Sequence, residues 1–169
     1  MAPSLVFVYG TLKQNEPNHH WLTDKENGES RLVGKATTQE RYPLVIASKF
    51  NIPFLLAVPG KGEHIEGEVY EVDEKMMSNL DILEDHPKLY ERKKNKMTLE
   101  ATGEIVECWI YLLHKYRPDL LDLPMLKSYS SKGSHGKEYV ARYLREDFCK
   151  ENMYTEMHVA VSPEERLWK

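Results

Sequence analysis

Cysteine is scarce in this chain. Its 169 residues hold two, Cys108 and Cys149, too few and too far apart for a disulfide framework or a paired metal site. Cys108 lies in an apolar run and is expected to be a small buried side chain, so a reducing compartment, the cytoplasm, fits best. Clustered positive charge is also missing: 23 Lys and Arg against 27 Asp and Glu leave a net charge of −4. That excludes the basic footprint of a nucleic-acid binder. The one dense basic run, Arg92-Lys93-Lys94 with Lys96, lies in an expected strand and reads as a solvated face. No apolar stretch suffices for a membrane span or a signal core, so a soluble protein is expected. There is no phosphate-binding loop, dinucleotide fingerprint or serine-elbow pentapeptide, which leaves phosphoryl and hydride transfer unsupported. The histidines, His19-His20 and five scattered singly, show no metal-ligand spacing, and no metal is expected.

What the chain does have is strand. Its length suits one compact domain able to bury a core. Leu5-Val6-Phe7-Val8 is a β-branched and aromatic run that reads as buried strand, and Tyr9-Gly10-Thr11-Leu12 sits at its mouth. Glycine there permits a tight turn and close backbone approach, and successive N–H groups at such a turn can hold an anion. The same pattern is also common as a plain structural turn. Residues 19–24 read as a short helix. β-rich runs follow over 31–38, 43–47 and 53–58, the last ending in Pro59-Gly60-Lys61-Gly62 and pairing with 65–72 as a loose hairpin. Asp73 opens the clearest helix as its N-cap, with Glu74 in the first turn and Pro87 as its stop. A second hairpin runs over 90–99, turns through Ala101-Thr102-Gly103 and returns over 105–113, a nearly continuous apolar run suited to a central position. Beyond Pro118 the chain is irregular as far as a polar, glycine-containing loop over 128–136, and a surface helix is expected over 138–150. The fold class is α+β: a mixed, largely antiparallel sheet curling into a small barrel with flanking helices.

Glu84 is the sharpest candidate for chemistry. It shares the apolar face of Met76, Met77, Leu80 and Leu83. Partial desolvation and the negative end of the helix dipole both disfavour its ionised form, which suits a group that exchanges protons near neutral pH. The plainer alternative is a helix-end glutamate that swings into solvent or pairs with Arg92 or a lysine. In the loop over 128–136, Tyr129 is the candidate for lining a pocket, as an amphipathic side chain.

The two features meet in a resemblance. A strand ending in Tyr9-Gly10-Thr11-Leu12-Lys13, and a helix carrying Leu80-Asp81-x-x-Glu84 before Pro87-x-x-Tyr90-x-Arg92, resemble the γ-glutamylcyclotransferase-like superfamily. Pro17-Asn18-His19, Tyr42-Pro43-Leu44-Val45-Ile46, Asn51-Ile52-Pro53, Glu66-Gly67-Glu68-Val69-Tyr70 and the loop from Ser128-Tyr129 to His135-Gly136 are similar to its γ-glutamylamine cyclotransferase branch. The resemblance covers about residues 4–143. It implies a domain over 1–143, with 144–169 as an extension beyond the family pattern. It also implies that Glu84 is the acid/base, that backbone groups of Tyr9, Gly10, Thr11 and Leu12 grip a γ-glutamyl head, and that no cofactor takes part.

The chemistry implied is intramolecular. The substrate's own α-amino group closes a five-membered lactam, so no enzyme nucleophile is needed. Expected products are 5-oxoproline and a free amine, with γ-glutamyl-ε-lysine from transglutaminase-crosslinked protein as the substrate and a monomer as the working unit. Three alternatives stand beside this: cyclisation of γ-glutamyl-α-amino acids or glutathione, a non-catalytic γ-glutamyl binder, and an interaction domain acting through the C-terminal helix.

Overall fold

A computed structural model describes residues 3–48 and 50–140. The expected extension over 144–169 and most of the expected helix over 138–150 lie outside the described residues; residues 138–140 carry no regular structure. Among the described residues, seven strands and two α-helices run in the order β1 (Ser4–Val8), α1 (His20–Thr23), β2 (Ser30–Tyr42), β3 (Leu44–Ala47), β4 (Ile52–Leu55), β5 (Glu63–Val72), α2 (Glu74–Leu83), β6 (Tyr90–Leu99) and β7 (Ile105–Leu113). A 3-10 turn, Pro118–Asp122, follows.

Five strands form a closed barrel in the order β1-β5-β2-β6-β7. Neighbours within that order are antiparallel, and the barrel closes where β1 meets β7 in parallel, with Val6 opposite Trp109. This is the small mixed barrel expected from the sequence. The β6–β7 hairpin runs in unbroken register from Tyr90↔Leu113 to Thr98↔Ile105, as its alternation and glycine turn predict. β2 is longer than expected and takes up its extra residues in register shifts between Leu32 and Gly34 and between Thr37 and Arg41, where bulges bend a strand.

The expected hairpin between 53–58 and 65–72 does not form. β4 pairs instead with β3 in a separate two-stranded sheet, Leu44↔Leu55 to Ala47↔Ile52, while β5 lies between β1 and β2. The turn that joins β3 to β4 uses Ser48 and Asn51 at φ 66° and 56°, left-handed positions occupied by residues other than glycine. The small sheet is tied to the barrel by a bridge between Leu56 and Leu113.

Strand alternation sorts the core onto two faces. Val6 and Val8 of β1 pack with Tyr70, Val72 and the α2 residues Met76, Met77, Leu80 and Leu83. Phe7 and Tyr9 point the other way, with Ala36, Val69, Met97, Cys108 and Ile110. Among the described residues no helix is long and apolar enough to cross a membrane.

Candidate active site

The turn after β1 is fixed from several directions. The backbone N–H of Lys13 returns to the Gly10 carbonyl at 3.2 Å. Tyr9 keeps the strand's alternation, and its hydroxyl donates to the Tyr111 carbonyl on β7 at 2.6 Å. Burial, then the charge of Glu84, raises the Tyr9 hydroxyl well above its ordinary pKa, so it stays a donor. A Cβ on Gly10 would sit 2.9 Å from Cγ of Pro53. Glycine is therefore required by the close approach of β4, not by a left-handed backbone. Asn18 braces the next residue twice: its N–H donates to the Thr11 carbonyl at 2.8 Å and its Nδ2 to Thr11 Oγ1 at 2.9 Å. Beneath the loop the buried carboxylate of Glu68 accepts from the Gln14 N–H and the Tyr70 hydroxyl, both at 3.0 Å. A buried acceptor with two donors is the arrangement that burial demands.

Glu84 closes α2. The helix starts where Asp73 accepts from the Met76 N–H at 2.8 Å, the N-cap expected from the sequence. It ends at Leu83, with Glu84 as C-cap and Asp85 turning the chain at φ 52°. The stop thus comes before Pro87, at a left-handed residue. Glu84 is half-buried and follows the buried Leu83.

The cation offered by the sequence as its partner is engaged one turn earlier. Arg92 forms a two-pronged ion pair with Asp81, Nε–Oδ1 2.8 Å and Nη2–Oδ2 3.2 Å, the strongest geometry for this pair. Its guanidinium lies 4.3 Å from the ring centre of Trp109, within range of a cation–π contact. The Tyr111 hydroxyl donates to the same Asp81 at 2.7 Å. Burial, then the hydrogen bond to Asp81, and the charges of Asp81 and Glu84 push this hydroxyl far above its usual range.

These elements meet in one cleft of about 80 Å³, room for several waters. It is lined by Tyr9, Gly10, Thr11, Leu12 and Glu84 together, and also by Asn18, Pro53, Tyr90, Tyr111 and Tyr139. Among the described residues lining it, Glu84 is the one carboxyl group, and there is no histidine, lysine or arginine. A carboxyl beside apolar walls, facing a turn rich in N–H groups, can pass protons to and from a bound amine or amide.

A family model described as gamma-glutamyl cyclotransferase, AIG2-like, matches residues 6–131. The chain belongs to this family. A gamma-glutamylaminecyclotransferase of Danio rerio is 43% identical over 151 residues, covering 87% of this chain and 99% of its own. Its namesake from Bos taurus is 47% identical over 145 residues, 86% of this chain and 85% of its own. A putative gamma-glutamylcyclotransferase of Drosophila melanogaster is 55% identical over 124 residues, 73% of this chain and 78% of its own. The crystal structure of an AIG2-like protein from Mus musculus superposes with a TM-score of 0.83 at 42% identity, covering 86% of this chain and all (100%) of that one.

Tyr129, the loop residue selected from the sequence, lies elsewhere in this AIG2-like barrel. It is 1% exposed, shares the core of Phe7 and Tyr9, and stacks on His135 with ring centres 6.1 Å apart. It borders a second cavity, of about 390 Å³, with Ile46, Leu126 and Ser130. Its carbonyl accepts from Lys13 Nζ at 2.5 Å, and the Ser131 N–H donates to Glu16 at 2.8 Å, so the loop over 128–136 is latched to the loop after the turn. Tyr90, Tyr111 and Tyr139 went unnoticed as site residues. Tyr90 and Tyr111 sit in strands where an aromatic reads as core, and Tyr139 sits in the segment read as a surface helix over 138–150.

Proposed function

We propose that this protein is a cyclotransferase that releases 5-oxoproline and a free amine from γ-glutamylamines. The observation that carries this reading is the single cleft shared by the turn Tyr9–Leu12 and by Glu84, groups over seventy positions apart in sequence. The relatives named gamma-glutamylaminecyclotransferase support the amine class. Within that class the proposed substrate is γ-glutamyl-ε-lysine, from breakdown of transglutaminase-crosslinked protein.

The chemistry asks little of the enzyme beyond position and proton transfer. The α-nitrogen attacks the γ-carbonyl carbon, and the bond from that carbon to the departing amine breaks. In becoming a lactam N–H the α-ammonium gives up two protons, and the amine leaves with both as an ammonium. Glu84 carries them, being the one carboxyl group lining the cleft among the described residues. The turn over Tyr9, Gly10, Thr11 and Leu12 holds the γ-glutamyl head so that nitrogen and carbonyl meet, which removes much of the entropic barrier. Tyr129 lies outside the cleft lining, and its proposed part is to support the loop leading to Tyr139.

The proposed working unit is a cytoplasmic monomer, spanning residues 1–143 for catalysis. Burial of Cys108 at 1% exposure supports a reducing setting. A broader reading, cyclisation of γ-glutamyl-α-amino acids, is favoured by the name of the Drosophila melanogaster relative. One competition assay separates the two: γ-glutamyl-ε-lysine, γ-glutamyl-alanine and glutathione are mixed with the protein, and 5-oxoproline and the released amines are measured by chromatography. Lysine is expected to appear first, and Glu84→Gln is expected to lose turnover while still binding 5-oxoproline. Absence of product from the wild type, or full turnover in Glu84→Gln, refutes the proposal.

A further inference from the structure

The cleft takes one wall from the turn after β1 and another from the segment that carries Tyr139. That second wall is fastened on its far side to the β3–β4 turn. Asn51 Nδ2 donates to the Glu138 carbonyl and the Val140 N–H to the Phe50 carbonyl, both at 2.9 Å. On its near side Asn18 Nδ2 donates to the Tyr139 hydroxyl at 3.1 Å, and the backbone is gripped by one short turn of chain. The Glu16 N–H returns to the Lys13 carbonyl at 3.1 Å, so both side chains leave the same turn, directly after residues 9–12. Lys13 Nζ donates to the Tyr129 carbonyl at 2.5 Å, and Glu16 accepts from the Ser131 N–H at 2.8 Å. Each charge thus holds a backbone group of opposite polarity. Ser131 Oγ in turn accepts from the Tyr139 N–H at 3.0 Å.

Resting on the cyclotransferase reading, we propose that Lys13 and Glu16 are positioning residues that clamp the Tyr139 segment against the binding turn and so set the affinity of the cleft for γ-glutamyl compounds. Neither residue lines the cleft; both act through the chain 129–131–139.

Lys13 is not an ordinary solvated lysine. It is half-buried, and burial pulls its ammonium below the usual lysine pKa although Glu16, Glu68 and Glu66 pull the other way. Taking an ammonium out of water costs free energy, and a lysine without a task at its tip keeps that tip in solvent. Here the tip is spent on a carbonyl 116 positions away. Hydrogen bonds from or to a charged group are stronger than neutral ones, and two of them on residues 129 and 131 fix the direction of the segment as well as its place. Loosening the clamp leaves fewer molecules with both walls in position, and the apparent affinity falls by that fraction. Bound substrate selects the molecules whose walls are in place, so the rate of the bound complex changes little.

The test follows the chain of contacts in the full-length protein. Lys13→Met keeps the aliphatic stem and removes the ammonium, Glu16→Leu removes the other grip, and Ser131→Ala breaks the next link. Turnover of γ-glutamyl-ε-lysine and inhibition by 5-oxoproline are measured on each, together with backbone amide exchange by NMR. Lys13→Met is expected to raise KM and weaken 5-oxoproline by about tenfold, the loss of one hydrogen bond from a charged group, while kcat stays within about twofold. The Tyr139 amide is expected to exchange faster, with the amides of β7 unchanged. Glu16→Leu and Ser131→Ala shift KM and the Tyr139 amide in the same direction. Because the contacts act in series, Lys13→Met with Ser131→Ala is expected to be little worse than the poorer single variant.

An unchanged KM and an unchanged Tyr139 amide in Lys13→Met overturn the proposal. So does faster exchange throughout β7, which makes Lys13 a contributor to global stability, and so do fully multiplicative effects in the double variant. A wild type that forms no 5-oxoproline refutes the cyclotransferase reading instead, and the amide exchange still decides whether the clamp holds the Tyr139 segment.

Discussion

Replacing Gly10 by alanine probes the binding turn with one methyl group. The added Cβ would lie 2.9 Å from Pro53 Cγ and 3.6 Å from Pro53 Cβ. The second distance is ordinary van der Waals contact. The first is roughly half an ångström too short, so the turn or β4 has to move. Forced overpacking of this kind costs about 1–3 kcal/mol, partly offset by the roughly 0.4–1 kcal/mol that alanine gains over glycine through the unfolded chain. Net destabilisation of about 1–2 kcal/mol follows, a fall in Tm of about 2–8 °C for a chain of this size. The effect on turnover is expected to be larger, because displacement of a positioning turn by about an ångström costs on the order of a hundredfold in rate. Pro53→Ala supplies the control, since it deletes Cγ and keeps the Cβ at its tolerable distance. The assay is a double-mutant cycle in kcat/KM and in denaturant unfolding. Gly10→Ala alone should be weak, and Gly10→Ala with Pro53→Ala should recover most of the loss, leaving a coupling energy above about 1 kcal/mol. Additive single effects, or a fully active and stable Gly10→Ala, would show that the close approach is not the reason for glycine.

Three other expectations follow from the surroundings of the cleft. Asp81→Ala strands the Arg92 guanidinium and the Tyr111 hydroxyl, which it now accepts at 2.8 and 2.7 Å. It should cost about 1–3 kcal/mol in urea unfolding and lower turnover by loosening the end of α2, whereas unchanged values would show the network to be idle. The Cys108 thiol is pushed by burial, then by Glu107, from 9.0 to about 12. The unfolded chain therefore ionises first, and the thiol's contribution, fully present below pH 9, is lost as pH rises toward 12. Cys108→Ala should flatten that stretch of the stability–pH curve, and an unaltered slope would contradict the assignment. Finally, a chain ending at residue 143 should keep its activity in the 5-oxoproline assay, and its loss would make the segment over 144–169 part of the working domain.

Local signals were legible where they agreed with their partners. Asp73 capped α2 as written, and the β6–β7 hairpin needed only its own alternation and the turn at Gly103. The failed hairpin shows the limit. Pro59 to Gly62 looks like a hairpin turn, but Gly62, at φ 83°, is pressed against the backbone of Tyr42, where a Cβ would collide with the carbonyl oxygen. The strand that follows is claimed by β1 and β2. Closure of a barrel is a long-range choice, and a turn dipeptide does not encode it. At the site, Glu84 and the turn over residues 9–12 were legible by spacing and resemblance. Asn18, Tyr111 and Tyr139 were not singled out, because their roles come from partners 7, 102 and 121 positions away.

The parallel seam between Val6 and Trp109 has a consequence for biogenesis. β1 is synthesised first, yet its two neighbours are β5 and β7, so the first strand waits for one made about a hundred residues later. A ribosome that stops before residue 105 leaves β1 and β6 as naked sheet edges, the kind of surface that recruits other chains. The turn following β1 would then hang from an unclosed sheet, its Tyr9 hydroxyl without the Tyr111 carbonyl that receives it. The turn is therefore anchored only once β7 has been made, and chains that stop before it are sticky. Contacts this remote in sequence also slow folding, which makes the interval between synthesis of β1 and arrival of β7 the chain's most exposed moment.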